Sequence, residues 1–153
     1  MNSKIVEWHI ANGRDHLWRT RKYILGMNDL SLDRTHDYIQ WLFPLDEPSR
    51  FNKRAPLLSI EDIEILSSYT KIVCENVSYF LMFLYRGLER QKPQYWIQPN
   101  NHNHLRITRL LKHLMILKMR QHAAYVFNFV VKHNENEALD NAIPYWRDAL
   151  CAN

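Results

Sequence analysis

The side chains best suited to chemistry in this chain are histidines, and His36 comes first because Asp37 follows it. An adjacent His-Asp pair forms part of the metal site in one superfamily of helical phosphohydrolases. A divalent ion wants about four to six donors, so such a site needs further ligands. His9 or His16 upstream and Asp62 or Asp140 downstream have suitable types. Neighbouring helical residues point about 100° apart, which parts His36 from Asp37. The preferred reading is structural: a helix-edge His36 hydrogen-bonded to Asp33 or Gln40, with Asp33, His36, Asp37 and Gln40 forming one polar flank.

His102-Asn103-His104 is a second pair of metal-ligating type. It falls at a helix start with Asn103 as cap, and the structural reading is again preferred. Arg106, Arg109 and His113 share one arc of a helix, with Lys112 nearby. Arginine forks suit bidentate anion contacts. Internal pairing is preferred here, with Asp33 and Asp37 as candidate mates. The competing expectation is a ligand site made by Arg106, Arg109, His113 and Trp41. Trp41 lies off the main apolar stripe of its helix, which suits either contact with a second layer or an exposed binding anchor. No serine stands in a Gly-x-Ser-x-Gly context, and no Cys-His pair reads as nucleophile and base. The expectation is a protein that is not an enzyme, with no metal and no cofactor.

The elements that must position these residues read as helices. Ser31 caps a helix to about Phe43, ended by Pro44, with Leu32, Thr35, Ile39, Leu42 and Phe43 on its core side. Ser59-Ile60-Glu61-Asp62 is a capping box opening one long central helix to about Arg86, stopped by Gly87. Further helices run from about Asn103 to Leu117, from Arg120 to Lys132, and through one or two segments between Glu135 and Ala149, where Pro144 suits a first turn. The first 25 residues are basic and aromatic, with short helices broken near Asn12-Gly13 and Gly26.

With 153 residues the chain fits a single helical domain, residues 1–153, able to fold without disulfides. Only 3 residues are glycine, which argues against a turn-rich β fold and against phosphate loops. The fold class expected is all-α, a compact multi-helix domain with a long central helix. The formal charge of +4 is mildly basic and compatible with nucleic acid without favouring it. Cys74 reads as a core residue and Cys151 as exposed, a usage that suits a reducing cytoplasm. The longest apolar run, about Val77 to Tyr85, is far short of the ~20 residues of a membrane span, so neither a signal peptide nor membrane insertion is expected.

Two segments carry a family likeness. Leu32-Asp33-Arg34-Thr35-His36-Asp37-Tyr38-Ile39-Gln40-Trp41-Leu42-Phe43-Pro44 resembles the signature of the opioid growth factor receptor conserved domain, with Asp33 where that family has Glu. His102-Asn103-His104-Leu105-Arg106-Ile107-Thr108-Arg109-Leu110-Leu111 resembles its second signature. Phe51-Asn52-Lys53-Arg54-Ala55-Pro56-Leu57-Leu58 lies between and also fits. The likeness covers about residues 14–131, with Lys118-Met119 where relatives often have a Gly. The animal member is a receptor for an enkephalin peptide, found at the nucleus and without a seven-helix membrane fold. The resemblance therefore implies a non-enzymatic binding module for a peptide or protein partner, with nuclear association if eukaryotic. A nucleic-acid-binding helical protein, using the basic N-terminal segment and Arg106/Arg109, is the second expectation. A metal-dependent hydrolase using His36 and Asp37 is the third.

Overall fold

Side chains of Ser3, Thr20, Asn28 and Ser59 cap the starts of four helices in the computed structural model, which describes residues 1–152. Nine helices are present among them: α1 (Lys4–Ile10), α2 (Arg21–Leu25), α3 (Asp29–Arg34), α4 (Ile39–Leu42), α5 (Ile60–Ser68), α6 (Thr70–Arg86), α7 (Asn103–Ile116), α8 (Arg120–Val131) and α9 (Ile143–Cys151). Isolated β-bridges join Arg14 to Thr20 and Leu45 to Leu57, and the fold is all-α. The chain divides into two compact units, Met1–Tyr79 and the residues from Phe80 onward.

In the first unit Ile5, Val6 and Trp8 of α1 are buried, as are Ile24, Leu32, Ile39, Leu42, Leu45, Leu58, Leu66 and Val73. The helix α1 packs on α5. Asp62 fastens that contact. Its Oδ1 accepts from the Ser3 hydroxyl at 2.6 Å, and its Oδ2 accepts from the Ser59 amide at 3.0 Å. The capping box expected at Ser59 is thus present, and Asp62 also ties the start of α1 to α5.

Two expected helices are each broken in two. The stretch expected to run unbroken from Ser31 to Phe43 becomes α3, capped by Asn28 rather than Ser31, and α4. Between them Thr35 is extended, with φ −91° and ψ 123°. The Tyr38 hydroxyl donates to the Leu32 carbonyl at 3.0 Å, and Arg19 holds both the Asp37 carboxylate and its carbonyl. These bonds replace the helical ladder across three poor helix formers, Thr35, His36 and Asp37. The long helix from Ser59 to Arg86 is likewise interrupted at Tyr69. The Ser67 and Ser68 hydroxyls donate to the carbonyls of Ile63 and Ile65, both at 2.6 Å. Serines bonding back in this way end or bend a helix.

In the second unit α7, α8 and α9 pack on one another. Gly87 does end α6, through close approach rather than a left-handed turn. A Cβ on it would lie 2.8 Å from the Gln94 carbonyl oxygen and 3.2 Å from Cδ1 of Trp96. The Trp96 indole donates to the Leu84 carbonyl at 2.8 Å, satisfying one orphan acceptor at the helix end. Asn103 is not the cap of α7. It is the first helical residue, and the Asn101 side chain accepts from its amide at 2.9 Å. Pro144 sits in the first turn of α9 as expected.

Candidate functional site

A cleft of about 280 Å³ opens in the second unit, between the start of α7, the turn before it and the start of α9. Leu105, Ala142 and Tyr145 give it mostly apolar walls, and Asn100, Asn101, Asn141 and Thr108 supply neutral polar groups. His102 and His104 complete the lining. Leu105 and Tyr145 are large side chains left 57% and 67% exposed.

Local chemistry holds the rim. Asn100 takes a left-handed φ of 59°, which asparagine tolerates, and its Oδ1 accepts from Nδ2 of Asn141 at 3.3 Å. That bond ties the turn before α7 to the segment before α9. Beneath, Nε2 of His104 lies 2.8 Å from the Trp96 carbonyl. A carbonyl only accepts, so the proton sits on Nε2 and Nδ1 is the acceptor. The carbonyl of His104 in turn accepts from the Trp146 indole at 3.2 Å and from the Thr108 hydroxyl at 3.1 Å. The rings of His104 and Trp146 meet edge to face at 5.8 Å.

Burial lowers the His104 pKa, ahead of the opposing bond to Trp96 and the charge of His102. His133 is lowered too, by burial first and then by Lys132. The unfolded chain then binds protons that the folded one resists. Stability is full above the unfolded histidine value of about 6.5 and falls as pH drops through it. Urea unfolding between pH 8 and pH 5 is expected to show a midpoint falling below about 6.5, with a shallower fall in His104→Gln. Equal pH profiles for the two would contradict this.

The residues expected from the sequence lie elsewhere. In the first unit Trp41 is 3% exposed, its carbonyl accepts from Nε2 of His9 at 2.9 Å, and it packs on Trp8 at 5.9 Å. Of its two readings, the surface anchor is the one that burial opposes. His16 stacks on Trp41 at 6.2 Å. Asp37 is held by Arg19 at 2.9 Å, Gln40 accepts from Asn52 at 3.4 Å, and His36 is exposed on the break between α3 and α4. Asp33, His36, Asp37 and Gln40 therefore do not line one helix face. His9 uses Nε2 on Trp41 and Nδ1 on Asn76, Asp62 is a cap, and Asp140 accepts from Asn134. Among the described residues no three His, Cys, Asp or Glu side chains are grouped to hold a metal.

In the second unit Arg106 and His113 are buried, and Arg109 is half-buried. The helix wheel puts all three away from the core, whereas α7 is buried almost all round. The Arg106 guanidinium reaches back to Oδ1 of Asn103 at 3.3 Å. Of the cleft residues the sequence singles out His102 and His104, as a metal-ligating pair, and none as the wall of a cleft. Pro99-Asn100-Asn101 reads as a turn, and only folding shows that Asn141 and Tyr145 stand beside it.

The fold and cleft define an α-helical protein with a partly apolar recess on a helix pair and no membrane-spanning helix among the described residues. Residues 22–150 match the opioid growth factor receptor conserved region. The chain is 31% identical over 140 residues to the opioid growth factor receptor of Mus musculus, which covers 78% of this chain and 22% of that protein. The Rattus norvegicus receptor is also 31% identical, over 78% of this chain and 24% of its own length. The Homo sapiens receptor is 33% identical over 116 residues, 66% of this chain and 17% of that protein. This chain belongs to the opioid growth factor receptor family, and it spans less than a quarter of those relatives' length. No solved structure matches it.

Proposed function

We propose that the chain is a non-enzymatic binding module that seats a segment of a peptide or protein partner in the cleft beside α7 and α9. The observation that carries this is the cleft's lining: apolar walls edged by amides and one hydroxyl. Amides pair with a peptide backbone, and the walls receive an apolar side chain. A volume of 280 Å³ is just under the ~300 Å³ at which small-molecule pockets begin, so it suits one bulky side chain better than a whole cofactor. The histidine most buried there has its Nε2 committed to a carbonyl, which supports a positioning role rather than proton transfer. The name of the relatives, receptors for an opioid growth factor, is in keeping with a peptide ligand.

Isothermal titration with an enkephalin peptide tests this. The native chain is expected to bind, and Thr108→Trp, which fills the cleft, to weaken binding at least tenfold, about 1.4 kcal/mol. An unchanged affinity in Thr108→Trp places the ligand outside the cleft and overturns the reading, as does the absence of any binding by the native chain.

A further inference from the structure

We propose that α8 is a recognition helix for double-stranded DNA, carried on a helix-turn-helix formed with α7. No Asp or Glu occurs between Glu89 and Glu135. The second unit holds ten Lys and Arg against five Asp and Glu, a formal charge of +5. The unit is net basic, and where that charge meets solvent is set by which helix face points outward.

Three residues, Leu117, Lys118 and Met119, join α7 to α8, the connection length of a helix-turn-helix. Lys118 takes a left-handed φ of 60°, and the Met119 amide donates to the Leu114 carbonyl at 2.8 Å. That is the helix-ending motif in which glycine is the unstrained choice. A lysine there accepts backbone strain and gains an exposed charge just ahead of α8.

Ala123, Val126 and Val130 bury one side of α8. The opposite side exposes Gln121, Tyr125, Asn128 and Lys132, spaced i, i+4, i+7 and i+11 on one stripe. Lys118 and Arg120 stand exposed at its start and form no ion pair among the described residues. The stripe is thus amides and an aromatic ring between cations, with no carboxylate. Glutamine and asparagine side chains read base edges, and Lys and Arg neutralise phosphates. The helix is about 18 Å long and fits a B-form major groove about 12 Å wide, whereas the A-form groove of RNA is too narrow. An acidic protein would match the cations and leave the two amides without a purpose. The cleft beside Leu105 lies on other residues, so this proposal stands independently of the peptide reading.

The test is fluorescence anisotropy with a labelled, mixed-sequence DNA duplex at rising salt. Three phosphate-contacting cations predict a slope of log K against log salt of about −2.7. Arg120→Ala/Lys132→Ala, checked for unchanged helix content by circular dichroism, is expected to lose about 1.8 of that slope and at least tenfold in low-salt affinity. Gln121→Ala/Asn128→Ala is expected to keep the slope and narrow the spread of affinities across a panel of duplex sequences. The proposal fails if the native chain shows no saturable binding at low salt, or if the cation variant keeps the native slope. Tighter binding to the single strand or to duplex RNA, or equal displacement by polyglutamate, also overturns it.

Discussion

Replacing Asp15 by alanine is expected to lower the unfolding free energy by about 3–5 kcal/mol. The Asp15 side chain is fully buried. Its Oδ1 accepts from the amides of Leu17 and Arg19, both at 2.9 Å, and its Oδ2 accepts from Nε of Arg19 at 2.8 Å. The loop it organises is closed by the Asp15 amide on the Arg19 carbonyl and the Trp18 amide on the Asp15 carbonyl, each at 2.9 Å. The same Arg19 carbonyl accepts from the Trp8 indole at 3.1 Å, so the loop reaches the core of the first unit. Trp18 sits in it with a left-handed φ of 68°, a conformation the loop must enforce. Alanine strands two amides and leaves a half-buried guanidinium on Asp37 alone. Asp15→Asn keeps an acceptor and is expected to cost less, about 1–3 kcal/mol. Urea unfolding followed by tryptophan fluorescence measures both. A loss below about 1 kcal/mol for the alanine variant would show that the loop is not structural.

The second large effect is expected at Trp146. Truncation to alanine removes a fully buried indole from the α7–α8–α9 core, at a cost of about 3–5 kcal/mol. It also removes the donor to the His104 carbonyl and the ring that meets His104 edge to face. Trp146→Phe retains most of the volume, and the His104 carbonyl keeps Thr108 as a donor, so about 1–2 kcal/mol is expected. Because His104 lines the cleft, the alanine variant is also expected to lose peptide binding at temperatures where it remains folded. Equal destabilisation by alanine and phenylalanine would mean that the hydrogen bond, not the packing, carries the stability.

Local signals were readable from residue types alone. The capping box at Ser59 and Asp62, the proline in the first turn of α9, the limits of α7 and the breaks at Asn12-Gly13 and Gly26 each depend on a few neighbours. The two helix interruptions were not readable in the same way. Apolar periodicity runs straight through Thr35–Asp37 and through Ser67–Tyr69, and what stops each helix is a side-chain bond that periodicity does not contain. Arg19 reaching Asp37 from eighteen positions upstream is invisible to a helical wheel. Ser67-Ser68 was at least a visible warning.

The cleft residues were the least readable. Arg106 and His113 drew attention by charge and by sharing an arc, yet both are buried. A wheel sorts one helix into two faces and has no place for a helix covered nearly all round. The cleft is made by a turn at Asn100 and Asn101 meeting Asn141 and Tyr145 some forty residues later. No spacing rule joins those segments, which the Asn100–Asn141 and Trp146–His104 bonds tie together.

The proposed seat of the partner is the cleft on α7 and α9. Its most direct test is a backbone amide shift titration of the native chain with an enkephalin peptide. The largest shifts are expected on Asn100, Leu105, Thr108, Asn141 and Tyr145, saturating together with one affinity. Shifts that leave these five unmoved while others saturate, or no shifts at any peptide concentration, would contradict it.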